Sequence, residues 1–129
     1  MKVLLKNVRL SFPSLFKTEQ YAGEDTGKFA ATFLIPKSDT KTVATIEQAC
    51  KQALIEKYGE GKTPKGFKLP LVDGDDKEYQ GYADCVCIKA NTKKRPTLVN
   101  RDKTPIVEED GILYGGCYVN ASIDVWVMD

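Results

Sequence analysis

The chain has 129 residues, 42% apolar and 29% charged, with a formal net charge of +1; that length holds one domain with a real core and excludes two, and that balance excludes wholesale disorder. Histidine is absent, which removes Ser-His-Asp and Cys-His nucleophilic machinery, H-E-x-x-H metal sites and the H-x-E deaminase signature. Neither common glycine-rich phosphate loop occurs, so no catalytic residues and no cofactor are expected.

The opening M-K-V-L-L-K-N-V-R-L carries a charge every few positions and no apolar run long enough for a signal peptide or a membrane span. A cytoplasmic location without a membrane partner is expected, with Cys50, Cys85, Cys87 and Cys117 as reduced thiols. Residues 2–10 read as a strand with Val3 and Leu5 on one parity and Leu4, Val8 and Leu10 on the other, which suits a strand partly covered on each side. Pro13 in S-F-P-S-L-F should break it, leaving Phe12 and Phe16 in an irregular segment to cap the core or stack on a base.

Residues 21–27 form a turn-rich loop. A second strand over 28–35 puts Phe29, Ala31, Phe33 and Ile35 on one core face and ends at Pro36. Ser38 and Asp39 offer N-caps for one helix reaching about residue 58, on which Val43, Ile46, Ala49, Cys50, Ala53 and Leu54 make an apolar stripe. Gly59 and Gly61 stop it.

Residues 60–81 read as a long loop with an extended piece around 67–72. Asp73, Gly74, Asp75 and Asp76 resemble part of a calcium loop, but the closing glutamate and flanking helices are missing, so a polar turn is expected. The same carboxylates with Glu78 could hold Mg²⁺ for phosphodiester cleavage, the enzymatic alternative.

Residues 82–90 form a third strand with Val86, Ile88 and Ala90 toward the core and Cys85, Cys87 and Lys89 opposite. Cys85-x-Cys87 lacks the turn of a zinc knuckle, and Cys50 belongs to the helix, so no metal site is expected. Then comes the most one-sided stretch of the chain: Lys89, Lys93, Lys94, Arg95, Arg101 and Lys103 against Asp102 give 89–103 a local charge of +5. A basic hairpin, with the next strand over 96–100, would suit a phosphate-tracking surface, and equally a solvated hairpin. After an extended stretch at 104–107 and an acidic turn at 108–111, residues 118–127 alternate cleanly. Val119, Ala121, Ile123, Val125 and Val127 share one face; Tyr118, Asn120, Ser122, Asp124 and Trp126 share the other.

The ordered motifs V-R-L-S-F-P-S-L-F at 8–16, F-L-I-P-K-S-D-T-K-T at 33–42, P-L-V-D-G-D at 70–75, K-K-R-P at 93–96 and Y-G-G-C-Y-V-N-A-S-I at 114–123 together resemble a bacteriophage family of single-stranded DNA-binding proteins. The resemblance spans most of the chain. It implies a mainly β fold with one α-helix, OB-fold-like: an antiparallel five-stranded barrel with a helix inserted after the second strand. It also implies that residues 1–129 are one domain coating single-stranded DNA in phage replication or recombination inside the infected host. Family members continue past the strand ending at Val127 into a further extended segment and an acidic tail, so that part is expected to be missing from these residues. Whether RNA, a second copy of the chain, or phage replication and recombination proteins also bind is left open.

Phosphate contacts are expected from Lys89, Lys93, Lys94, Arg95 and Arg101, with Lys6 and Arg9 as weaker candidates. Tyr114, Tyr118 and Trp126 are the stacking candidates, with Phe67 and Tyr82 behind them. The alternative is a non-catalytic interaction or assembly module whose exposed aromatics form a subunit interface.

Overall fold

A computed structural model describes residues 2–61, 70–79 and 81–125. The chain begins with a long strand, β1 (Lys2–Ser14). Val3, Leu5, Val8 and Leu10 are all buried, while Leu4 is 59% exposed. The sequence pattern suggested apolar cover on both faces; the cause of the mixed parity is instead a bulge. The pairing register shifts between Leu5 and Val8, Asn7 takes a left-handed φ of 53°, and its N–H donates to Asn120 Oδ1 at 2.8 Å. One extra residue carries the apolar series back to the same face. Pro13 does not end the strand either. A second shift between Ser11 and Ser14, with Phe12 at φ 45°, absorbs the proline inside β1.

The turn-rich loop closes into a small ribbon, β2 (Gln20–Tyr21) against β3 (Glu24–Asp25). The next strand, β4 (Phe29–Pro36), lies between two partners and is buried along nearly its whole length, ending at the proline as expected. Asp39 caps the helix α1 (Thr40–Tyr58), its carboxylate accepting from the Thr42 N–H at 3.3 Å and hydroxyl at 2.7 Å. Gly59 closes it at φ 93° with its N–H on the Ile55 carbonyl. Ile46, Ala49 and Cys50 of α1 join Val3, Leu5, Val8, Leu10, Phe33, Ile35, Ile88 and Ile123 in the main core. No helix among the described residues is long and apolar enough to cross a membrane.

The remaining strands are β5 (Leu71–Asp73), β6 (Cys85–Thr92) and β7 (Tyr118–Asp124). The main sheet is antiparallel with order β5-β6-β4-β1-β7, and α1 follows its second strand in sequence. Among the described residues the fold is therefore mainly β, with one α-helix and five strands in the main sheet beside the two-stranded ribbon. It differs from the expected barrel in one respect: among the described residues no pairing joins β5 to β7, so the sheet is open. The expected strand at 96–100 is also missing, reduced to one isolated bridge between Val99 and Pro105. Prolines at 96 and 105 withhold donors, and Asn100 and Thr104 close a turn, so nothing there extends a ladder. All four cysteines are free thiols, and among the described residues no cluster of acidic or thiol groups could hold a metal ion.

Candidate nucleic-acid interface

The sheet has a second face, turned away from α1. Strand register sets a row of side chains across it: Val72, Cys87, Leu34, Arg9 and Tyr118, one from each strand. Beside it runs a shorter row of Lys89, Thr32 and Ser11. Among the described residues the middle is covered, where Leu34, Cys87 and Tyr82 make a small second cluster with Cys85 packed against it. Burial pushes the thiols of Cys87 and Cys85 up, so neither is primed as a nucleophile.

The cover comes from the loop between β5 and β6. A short 3-10 turn over Gly74–Asp76 starts it, and Gly74 is buried there, because a Cβ would lie 2.1 Å from the Tyr82 carbonyl oxygen. Lys37 fastens both ends: its ammonium meets Asp73 at 2.8 Å and Asp75 at 2.6 Å, and its backbone N–H donates to the Asp84 carbonyl. Asp75 also accepts the Asp84 N–H at 2.9 Å. Hydrogen bonding to these carboxylates raises the Lys37 pKa, and its ammonium lowers theirs. Two of the four carboxylates considered for Mg²⁺ are thus already engaged by a lysine.

The loop delivers Tyr79, Gly81 and Tyr82 to the sheet. Tyr82 is only 4% exposed and donates or accepts a 2.7 Å hydroxyl bond with Ser11; burial pushes its pKa up. Its ring meets Tyr79 at 5.2 Å, and Tyr79 meets Phe12 edge-on at 5.0 Å. Tyr79 and Phe12 remain 54% and 59% exposed. Between this triad and the 115–116 segment lies a groove of about 420 Å³, lined by Arg9, Phe12, Pro13, Leu34, Tyr79 and Tyr82 among others.

Arg9 occupies the groove. Gly81 at φ 86° and Gly116 at φ 105° flank its guanidinium, and a Cβ on Gly81 would fall 2.8 Å from Nη1. Gly116 is held there by its N–H bond to the Leu10 carbonyl at 2.7 Å. The guanidinium makes no hydrogen bond or ion pair with the described residues. The result is a partly buried cation, with no counter-ion among the described residues, beside two exposed rings.

The basic run is dispersed by comparison. Lys89 points from β6 onto the outer face, but its ammonium bonds both Glu19 oxygens at 3.1 and 2.9 Å. Arg95, exposed, lies 5.6 Å over the ring of Phe29 at the start of β4. Lys93 and Lys94 are exposed just beyond β6, and Arg101 is exposed in the turn closed by Asn100 and Thr104. Asp102 in that turn accepts from the Thr104 hydroxyl and N–H, which lowers its pKa. Lys6 is exposed at the β1 bulge. Tyr118 is 64% exposed beside Arg9 in the cross-strand row, and Tyr114 is exposed near its carbonyl bond from Cys117. Phe67 and Trp126 lie outside the described residues.

The sequence candidates thus brought to one place are Arg9, Tyr82 and Tyr118. Tyr79 was missed: nothing in a loop of mixed charge marks it until the loop folds onto the sheet. Phe12 was legible in the sequence as an aromatic that would cap the core or stack on a base, but not as a member of this groove.

The chain is similar to known proteins in both sequence and fold. The sequence profile of the family described as "Enterobacter phage Enc34, ssDNA-binding protein" matches residues 1–129. The "Putative protein p50" of Acyrthosiphon pisum secondary endosymbiont phage 1 is 39% identical over 137 residues, covering 100% of this chain and 74% of that protein. Among solved structures, the single-stranded DNA-binding protein from bacteriophage Enc34 in complex with ssDNA superposes with a TM-score of 0.82 at 26% identity, over 99% of this chain and 76% of the other. A second structure of that protein gives a TM-score of 0.78 at 23% identity, over 99% and 70%, a likeness of fold. Sequence and fold thus agree over nearly every residue, and the chain belongs to the family of the Enterobacter phage Enc34 ssDNA-binding protein.

Proposed function

We propose that this chain is a non-catalytic, sequence-independent single-stranded DNA-binding protein, with residues 1–129 acting as one OB-like domain, and that the strand lies across the outer face of the sheet. Family membership supports the ligand class, since a relative with the same fold is described in complex with ssDNA. The single observation that carries the location is Arg9, a cation without a counter-ion among the described residues, in a groove edged by exposed aromatic rings.

Arg9 takes a phosphate in its planar fork, while Phe12, Tyr79 and Tyr118 offer ring faces to successive bases. Stacking is indifferent to sequence because every base has a π-face, and each stacked base contributes roughly 1–3 kcal/mol by deletion. Lys93, Lys94, Arg101 and Lys6, all exposed, add a diffuse, salt-sensitive attraction to the backbone at the margins. Coating of single strands during phage replication or recombination in the host cytoplasm is the biological role in this proposal, with RNA, a second copy and phage replication proteins as further partners to test.

The experiment is fluorescence anisotropy of a labelled oligo-dT strand at two salt concentrations, repeated with mixed sequence and with duplex of equal length. Similar affinity for both single strands, weaker for duplex and falling with salt, is expected. Absence of binding to any single strand sinks the proposal and favours an interaction module built on the same aromatics.

A further inference from the structure

We infer that the Arg9 groove is a socket for one nucleotide, able to bind a free deoxynucleoside 5′-monophosphate on its own, with the phosphate on the guanidinium and the base against Phe12 and Tyr79. This rests on the proposed single-strand function of the same face, and it adds that the strand is pinned at one point rather than gripped evenly.

Size is the first reason. The groove's 420 Å³ lies at the lower end of the roughly 300–1,000 Å³ typical of small-ligand sites, room for one nucleotide and not for a run of stacked bases. The lining is the second. Leu34, Phe12, Pro13 and Tyr79 supply an apolar and aromatic side, and Arg9 with the Ser11–Tyr82 hydroxyl pair supplies polar side chains. An arginine fork suits a phosphate dianion, and exposed rings suit a base. Phosphate alone leaves the rings unused, and a nucleoside alone leaves the cation unused.

The third reason is the backbone. Phe12 at φ 45° and Gly116 at φ 105° line the groove, and Gly81 at φ 86° abuts the Arg9 guanidinium that sits in it, so three separate segments meet there. Phe12 is a non-glycine residue in a region that disfavours side chains, and strain of this kind gathers at ligand clamps. Its strained conformation accompanies a ring left over half exposed at the groove edge, and the two glycines leave the channel in which the guanidinium sits.

The test is an NMR titration of the full chain with dTMP, thymidine and inorganic phosphate separately, following the amides of Phe12, Gly81 and Gly116. Saturating shifts at those amides with dTMP, at concentrations at least tenfold lower than thymidine or phosphate require, are expected, together with at least a tenfold loss in Arg9→Gln. Equal potency of phosphate and dTMP, shifts confined to other residues, or an unchanged response in Arg9→Gln overturns the socket. The ligand series on the natural chain decides the matter even where the variant folds poorly. Anisotropy with oligo-dT separates the two levels: strand binding without dTMP binding overturns the socket alone, whereas no strand binding removes the function on which it rests.

Discussion

Two groups of cations in this chain invite comparison: the six between residues 89 and 103, and the single arginine at position 9. The first group is the most conspicuous feature of the sequence, yet folding scatters it. Lys89 is held by Glu19 and Arg95 by the Phe29 ring, and the others stand in solvent on separate turns. Arg9 has no cationic neighbour within two residues, and folding surrounds it with two glycines and two tyrosine rings drawn from distant segments, beside Phe12 of its own strand. Charge counted along a chain measures long-range attraction; charge placed without a counter-ion in a shaped groove measures a contact. The two should separate experimentally.

The largest effect on oligonucleotide affinity is expected from Arg9→Gln, about 1.5–3 kcal/mol for a hydrogen bond to a charged group, or roughly ten- to hundredfold. The slope of log K against log salt should fall by about 0.7, as for one lost phosphate contact on a single strand. Next is Tyr79→Ala, which removes a half-exposed ring and should cost about 1 kcal/mol or somewhat more with the salt slope unchanged, since a stacked base carries no released counterion. The combined Lys93→Ala, Lys94→Ala change should lower the slope while costing less affinity than Arg9→Gln at moderate salt. A larger loss there would break the comparison and hand the main contact to the basic run.

A gain sharpens it from the other side. Glu19→Gln releases Lys89 from its 2.9 Å ion pair and should tighten binding by about 0.2–1 kcal/mol, the range of an exposed pair. Titration at several salt concentrations would show the gain vanishing as salt rises.

The smallest effect concerns the Lys37 clip. The pKa values of Asp73 and Asp75 are lowered by the ammonium, so the stability they contribute is present above the ordinary carboxylate pKa near 4 and is lost as pH falls through their lower folded values. Lys37 is raised, so its share is present below its ordinary pKa of about 10.4 and is lost as pH rises through its folded value. The melting difference between the natural chain and Lys37→Met should therefore be flat between about pH 5 and 9 and shrink below about pH 4. All three groups are substantially exposed, so the flat difference itself should be small.

Local signals were legible in the sequence and long-range ones were not. Asp39 as cap, Gly59 as stop, the Ile46–Ala49–Cys50 stripe and the end of β4 at Pro36 each depend on neighbours within a few residues, and each is found. The groove depends on residues 9–13, 34, 79, 82 and 115–116 meeting, which no periodicity announces. Lys89 could be counted as a free cation because its partner lies 70 positions away. The 96–100 segment has the composition of a strand, but its pairing with 104–106 stops at one bridge, and β structure is decided by the neighbour.

The bulge at Lys6 and Asn7 has a meaning beyond its hydrogen bond to Asn120. In uninterrupted alternation Val3, Leu5, Asn7 and Arg9 would share the helix-facing side, and Val8 and Leu10 would look outward. The interruption works as a phase shift, delivering the arginine to the surface and two aliphatic residues to the interior in one step. What sets the chemistry of the outer face is thus partly an odd or even number of residues, so that deleting one position from this turnless stretch would exchange inside for outside without altering any side chain that matters.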